Sequence, residues 1–96
     1  MVTRDEVRKR KAEIVAVAER HGARNIRIFG SVARGDQREG SDLDLLVSFE
    51  PGRSLLDQGG LLMDLRDLLG MKVDVVSERA LRPRAREQVL REAVPL

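Results

Sequence analysis

Two short apolar runs in this chain are each interrupted by an aspartate. Asp44 stands within Leu43-Asp44-Leu45-Leu46-Val47-Ser48-Phe49, and Asp74 within Lys72-Val73-Asp74-Val75-Val76. Runs of this length and composition predict β-strands, whose successive side chains point to opposite faces. Leu43 and Leu45 then enter a core while Asp42 and Asp44 share the other face, and Asp74 turns away from Val73 and Val75 in the same way. If the two strands are neighbours, all three carboxylates meet on one patch.

The segments around these strands alternate between helical and extended patterns. Thr3-Arg4-Asp5-Glu6 has the form of a capping box, with Thr3 as N-cap and Glu6 reaching back to its amide. Val7, Ile14, Val15 and Ala18 follow at helical spacing and Gly22 suits a stop, so one amphipathic helix is expected over 4–21. Arg8, Lys9, Arg10 and Lys11 read as its solvated face, and His21 as a cap in its last turn. Ile26-Arg27-Ile28-Phe29 alternates as a first strand ending at Gly30, and 36–41 is a polar loop. Pro51-Gly52 ends the strand that carries Asp44. Ser54-Leu55-Leu56-Asp57 repeats the capping-box pattern, and Leu61, Leu62, Leu65, Leu68 and Leu69 form a helical stripe up to Gly70. Gly59-Gly60 weakens that helix by about 1 kcal/mol per glycine relative to alanine, so irregular first turns are expected. Pro83 suits the N1 position of a last helix carrying Ala85, Val89, Leu90 and Ala93, closed by Pro95. The expected product is one small α/β domain over 1–96.

Composition narrows the function classes. At 96 residues, with 42% hydrophobic and 35% charged, the chain suits a single globular domain. Zero cysteines remove disulfides and thiolate metal sites together and fit a reducing compartment. No apolar run is long enough to span a bilayer and no signal-peptide pattern opens the chain, so a cytoplasmic protein is expected. The net charge is only +2, and Phe29 and Phe49 are the only aromatic residues, which leaves no platform for stacking bases. Direct nucleic-acid binding is therefore not expected. Arg79, Arg82, Arg84, Arg86 and Arg91 crowd the C-terminal part. They suit a solvated helix face, and secondarily the docking of an acidic partner.

Three bare carboxylates on one patch repel, and one of them tends to take up a proton. A hard divalent cation removes that cost, because Mg²⁺ binds a few carboxylate oxygens and gives its other sites to water and substrate phosphates. Two such ions bridged by paired aspartates form the clamp used for in-line displacement at phosphorus. Taken singly, either Asp42-x-Asp44 or Asp74 reads better as inward-pointing charge guarding a sheet edge, and the next feature reverses that preference. The second feature is Gly30-Ser31-Val32-Ala33-Arg34-Gly35, directly after the first strand. A glycine there lets backbone amides approach a phosphate, and a serine hydroxyl can donate to it. Alone, this stretch is an ordinary glycine turn with a serine cap.

Together the pieces resemble a known pattern. Gly30-Ser31, ten intervening residues and Asp42-x-Asp44 are similar to the signature of the DNA polymerase β-like nucleotidyltransferase superfamily. Asp74 stands on a later strand, where that family has its third carboxylate. Gly30-Ser31-Val32-Ala33-Arg34-Gly35 followed by Ser41-Asp42-Leu43-Asp44-Leu45-Leu46-Val47 looks like its small members, the minimal nucleotidyltransferases (MNT). Phe49-Glu50-Pro51-Gly52, Leu69-Gly70-Met71-Lys72-Val73-Asp74-Val75-Val76 and Arg91-Glu92-Ala93-Val94 are similar to the same group, so the resemblance covers essentially the whole chain.

The resemblance implies a three-stranded mixed sheet flanked by helices and the activity of a nucleotidyltransferase. It implies Asp42, Asp44 and Asp74 as the catalytic residues: Asp42 and Asp44 would ligate two Mg²⁺ ions, and Asp74 would complete the site of the catalytic one. Gly30 and Ser31 would hold the β- and γ-phosphates of ATP, with Arg34 a candidate for the same task. The stretch after the third strand is too short for a further domain, so the acceptor is expected from a partner. In the family, many minimal members are antitoxins paired with HEPN-domain ribonuclease toxins from a neighbouring gene. Some of them transfer AMP from ATP to a toxin tyrosine. This chain contains no tyrosine, which excludes tyrosine self-modification. The alternatives are an antitoxin that neutralises its partner by occlusion without catalysis, and a nucleotidyltransferase acting on a small molecule or an RNA end.

Overall fold

The computed structural model describes residues 2–96. Two helices, α1 (Arg4–Lys9) and α2 (Lys11–Arg20), replace the single helix expected over 4–21. The break falls at Arg10, whose backbone sits at φ −105° and ψ 18°. Its guanidinium reaches across the molecule to the carbonyl of Leu68 at 2.9 Å, a contact between segments that no local pattern encodes. Thr3 Oγ1 accepts from the amide of Glu6 at 3.2 Å. Among the described residues no return bond from the Glu6 side chain completes the box.

Four strands build one mixed sheet: β1 (Ala23–Phe29), β2 (Leu43–Phe49), β3 (Val73–Ser77) and β4 (Val94–Pro95), in the order β3-β2-β1-β4. The expectation of three strands is corrected by β4, which pairs antiparallel with β1 through Val94 and Pro95. Pro95 does not merely end a helix. An edge strand needs donors on one side only, so proline is tolerated there, and the following Leu96 amide donates to the Ile26 carbonyl at 3.1 Å. β1 is longer than the alternating stretch 26–29 suggested. Its register shifts between Arg24 and Arg27, with Asn25 at φ 54°, a bulge that hides the strand period at its polar start.

β2 runs antiparallel to β1 and parallel to β3, and α4 (Leu55–Leu69) makes the crossover. Ser54 caps it as expected: Ser54 Oγ accepts from the Leu56 amide at 3.2 Å, and the Ser54 amide donates to Asp57 at 2.8 Å. The helix is continuous through Gly59-Gly60, contrary to the expected irregularity. Packing accounts for the glycine at 60, because a Cβ there would stand 2.8 Å from His21 Cε1. His21 follows α2 as its C-cap residue, and its Nε2 lies 2.7 Å from Asp64 of α4.

The core lies on one face of the sheet. Ile28, Leu43, Leu45, Val47, Val73 and Val75 meet Ile14, Val17 and Ala18 of α2 and Leu61 and Leu65 of α4, all buried. Leu46 is also fully buried, yet it points to the opposite face. A 3-10 turn (Glu78–Ala80) leads into α5 (Pro83–Glu92), which has Pro83 in its first turn as expected. The expected apolar stripe of this helix is not buried: none of its residues is. No helix among the described residues is long and apolar enough to cross a membrane.

Candidate active site

Strand register decides which carboxylates meet. Parallel pairing of β2 with β3 sets Asp44 beside Asp74, and antiparallel pairing with β1 sets Phe29 across from Asp44. Residues paired across a sheet share a face, and here it is the face opposite the core. Asp42 lies just before β2, and alternation puts it on the side of Asp44. Asp42 and Asp74 are exposed and Asp44 is half-buried.

Gly30 follows Phe29, so its backbone lies against Asp44. Its φ is +74°, and a Cβ built on it would run into Asp44 Oδ2. Glycine alone meets both demands, a left-handed backbone and close approach to a carboxylate. One helical turn, α3 (Gly30–Arg34), starts at this glycine and is closed by Gly35 at φ 79°. Val32 and Ala33 are its buried side, which leaves Ser31 and Arg34, three residues apart, on the other. The turn thus brings Gly30 and Ser31 to the edge that carries Asp44.

Burial pushes the Asp44 carboxyl up to about 6, with the charges of Asp74 and then Asp42 adding to the rise and Arg34 opposing it. The charges of Asp74 and Asp42 thus bear on Asp44. Among the described residues no three acidic or imidazole groups close into a cage around one point. They form an open acidic edge of oxygen donors. Mg²⁺ suits such an edge, since it dehydrates reluctantly, keeps several waters and takes further ligands from phosphates. The residues present fit a hard divalent cation in donor type and in the repulsion that a cation would relieve.

Arg34 is drawn elsewhere. Its guanidinium donates to Asp36 at 3.1 Å and to Glu92 at 3.1 Å, which ties the end of α5 to α3. Sequence reasoning also missed a polar cluster further along the carboxylate face. Arg27, its side chain only 12% exposed, lies 3.2 Å from Glu78, and the Ser48 hydroxyl donates to Glu78 at 3.3 Å. Arg86 adds a second cation at 3.7 Å. The Arg27 hydrogen bond holds the Glu78 carboxyl below its ordinary range. Alternation in Ile26-Arg27-Ile28 signals that Arg27 leaves the core face, but nothing local signals its partner.

A mixed sheet that sets paired aspartates beside a glycine–serine turn defines a nucleotidyl-transfer domain, and residues 5–96 match the nucleotidyltransferase domain family. The chain belongs to that family and is a nucleotidyltransferase. Its relatives narrow the group. It is 46% identical over 76 residues to the protein adenylyltransferase MntA of Thermococcus cleftensis, covering 79% of this chain and 77% of that one. It is 42% identical over 84 residues to a candidate protein adenylyltransferase of Methanocaldococcus jannaschii, covering 88% of this chain and 90% of that one. A solved structure described as a candidate minimal nucleotidyltransferase superposes at TM-score 0.87 and 57% identity, over 99% of this chain and 97% of that one. The fold alone is shared with a toxin–antitoxin complex with AMP-PNP, at TM-score 0.76 and 23% identity over 88% of this chain and 70% of that one. It is shared likewise with a complex of a tri-AMPylated Shewanella oneidensis HEPN toxin and an MNT antitoxin, at TM-score 0.70 and 19% identity over 92% and 69%.

Proposed function

We propose that this protein transfers AMP from ATP to a tyrosine of a HEPN-type toxin and so acts as the antitoxin of that partner. The observation that carries the reading is the placement of Asp44, with Asp74 in register on one side and the bare backbone of Gly30 on the other. Relatives named as protein adenylyltransferases support it, as does the fold shared with an MNT antitoxin bound to an AMPylated HEPN toxin.

Asp42 and Asp44 would hold two Mg²⁺ ions, and Asp74 would complete the site of one of them. When bound, such ions supply the positive charge that activates the acceptor hydroxyl and neutralises departing pyrophosphate. Gly30 lets backbone amides approach the β- and γ-phosphates and Ser31 donates its hydroxyl to them. Arg34 reaches the same phosphates by exchanging Asp36 and Glu92 for them. The acceptor oxygen bonds to the α-phosphorus as the bond to the bridging oxygen breaks, and the hydroxyl proton is given up at the acidic edge. The absence of tyrosine from the chain excludes tyrosine self-modification, which is consistent with transfer to another protein. Residues 1–96 act as one catalytic unit in the cytoplasm.

The test is a transfer assay with each α-labelled nucleoside triphosphate and Mg²⁺, with and without the purified HEPN-type protein of the same genome, beside Asp42→Asn/Asp44→Asn. Label on the partner, from ATP and only with intact carboxylates, is the expected result. No label from any nucleotide, with the double variant still neutralising the partner, would replace this reading with inhibition by occlusion.

A further inference from the structure

The far end of β2 carries a groove of mixed lining with an arginine in its wall that forms no ion pair among the described residues. The groove, about 450 Å³, lies between the turn after β2 and the 3-10 turn after β3, and its lining mixes Phe49, Leu55 and Ala80 with Gln58, Arg79 and Glu50, whose carboxylate is paired with Arg53. Leu55 is 83% exposed and Leu56, next to it, 87%, far beyond the other large apolar side chains among the described residues. Arg79 in the wall is followed by Arg82 and Arg84 on the exposed start of α5. Among the described residues these three arginines form no ion pair, whereas Arg53, also in the lining, is matched by Glu50 and Asp57. Exposed Leu55 and unpaired Arg79 in one groove, with Leu56, Arg82 and Arg84 following them in the chain, are complementary to an apolar side chain flanked by carboxylates.

We propose that this groove docks the acceptor protein through an acidic segment bearing an apolar anchor, a proposal that rests on the protein-modifying function above. The surface is separate from the chemistry. Asp44 and Phe49 are five positions apart on β2, about 17 Å at the usual strand rise. Phe49 has the core-face parity of Leu45 and Val47, so a partner seated there leaves Asp44 uncovered, and its acceptor hydroxyl is carried to the acidic edge by a segment that rounds the end of the sheet. A nucleic acid is a poorer match, because the net charge is +2 and exposed leucines offer nothing to a phosphate backbone.

The experiment uses the full chain, the purified HEPN-type protein and two variants, Arg79→Glu/Arg82→Glu/Arg84→Glu and Leu55→Ser/Leu56→Ser. All five positions are solvent-facing or groove-lining, so folding is preserved, and a thermal melt checks it. Both variants are expected to raise the Kd for the partner and the KM of AMP transfer to it by about tenfold or more. The kcat at saturating partner and the affinity for a fluorescent ATP analogue stay within about twofold. Arg79→Lys/Arg82→Lys/Arg84→Lys keeps the charge and restores binding. Raising the salt concentration weakens wild-type binding and leaves the glutamate variant nearly unaffected. Unchanged Kd and KM in both variants overturn the proposal. So does an arginine-dependent loss of binding to single-stranded RNA, or of self-association in sedimentation, without a loss of partner binding. If the wild type binds the partner but transfers no AMP, the proposed function fails while the Kd series still decides the docking surface.

Discussion

The backbone of Gly30 and Oδ2 of Asp44 adjoin so closely that a Cβ on residue 30 would run into the carboxylate. The turn offered to phosphates and the side chain offered to metal therefore form one object, in which neither can shift without the other. Gly30→Ala is expected to lower nucleotidyl transfer at least about a hundredfold. It should also destabilise the fold by about 1–2 kcal/mol, because alanine resists φ +74°. Parallel activity and urea-denaturation measurements check both numbers. A variant with full activity would separate the turn from the chemistry.

Asp44 makes stability depend on pH in a direction opposite to most carboxylates. Its folded value, raised from 3.8 to about 6, means that the native state holds the proton more tightly than the unfolded chain. In EDTA, stability should rise as pH falls from about 7 toward 5, and Asp44→Asn should abolish that rise. At pH 7 the variant should be at least as stable as the wild type and devoid of transfer activity. Adding Mg²⁺ should stabilise the wild type and not the variant, by linkage of binding to folding. Denaturation midpoints across pH, with and without Mg²⁺, read every part of this.

Arg27, Ser48 and Glu78 hold the 3-10 turn onto the sheet. Arg27→Met leaves the Glu78 carboxylate half-buried without its main partner and is expected to cost roughly 1–3 kcal/mol. Because Arg27 holds Glu78 low, that stability is present above the ordinary glutamate value of 4.5 and is lost as pH falls below it. Amide exchange should quicken across 78–92 and remain slow in α4. Uniform quickening over the whole chain would mean that the cluster supports the entire fold instead.

Adjacent glycines in α4 should respond oppositely to alanine. A Cβ on Gly59 meets open space, so Gly59→Ala is expected to stabilise by about 0.5–1 kcal/mol with activity unchanged. On Gly60 the same atom would press on the His21 ring at 2.8 Å, so Gly60→Ala loses that gain and disturbs the contact of His21 with Asp64. Thermal melts of the two variants make the comparison directly.

Short-range chemistry was legible along the chain. Alternation in 43–49 and 72–76 assigned Leu43, Leu45, Val73 and Val75 to the core and turned Asp44 and Asp74 outward, as the sheet does. Ser54 and Asp57 announced the start of α4, and the spacing of Gly30-Ser31 from Asp42 and Asp44 marked the site candidates and the family. Backbone dihedrals and strand parity follow from a residue and its near neighbours, so the sequence alone carries them. Tertiary structure decided what depends on partners far along the chain. It placed Asp44 against Gly30, gave Arg34 to Glu92 and Arg27 to Glu78, broke the first helix where Arg10 meets Leu68, and made Pro95 part of a fourth strand. Those outcomes required closing the chain into one particular packing. Pairing energies between distant residues exist only once that packing has formed, and no local pattern records them.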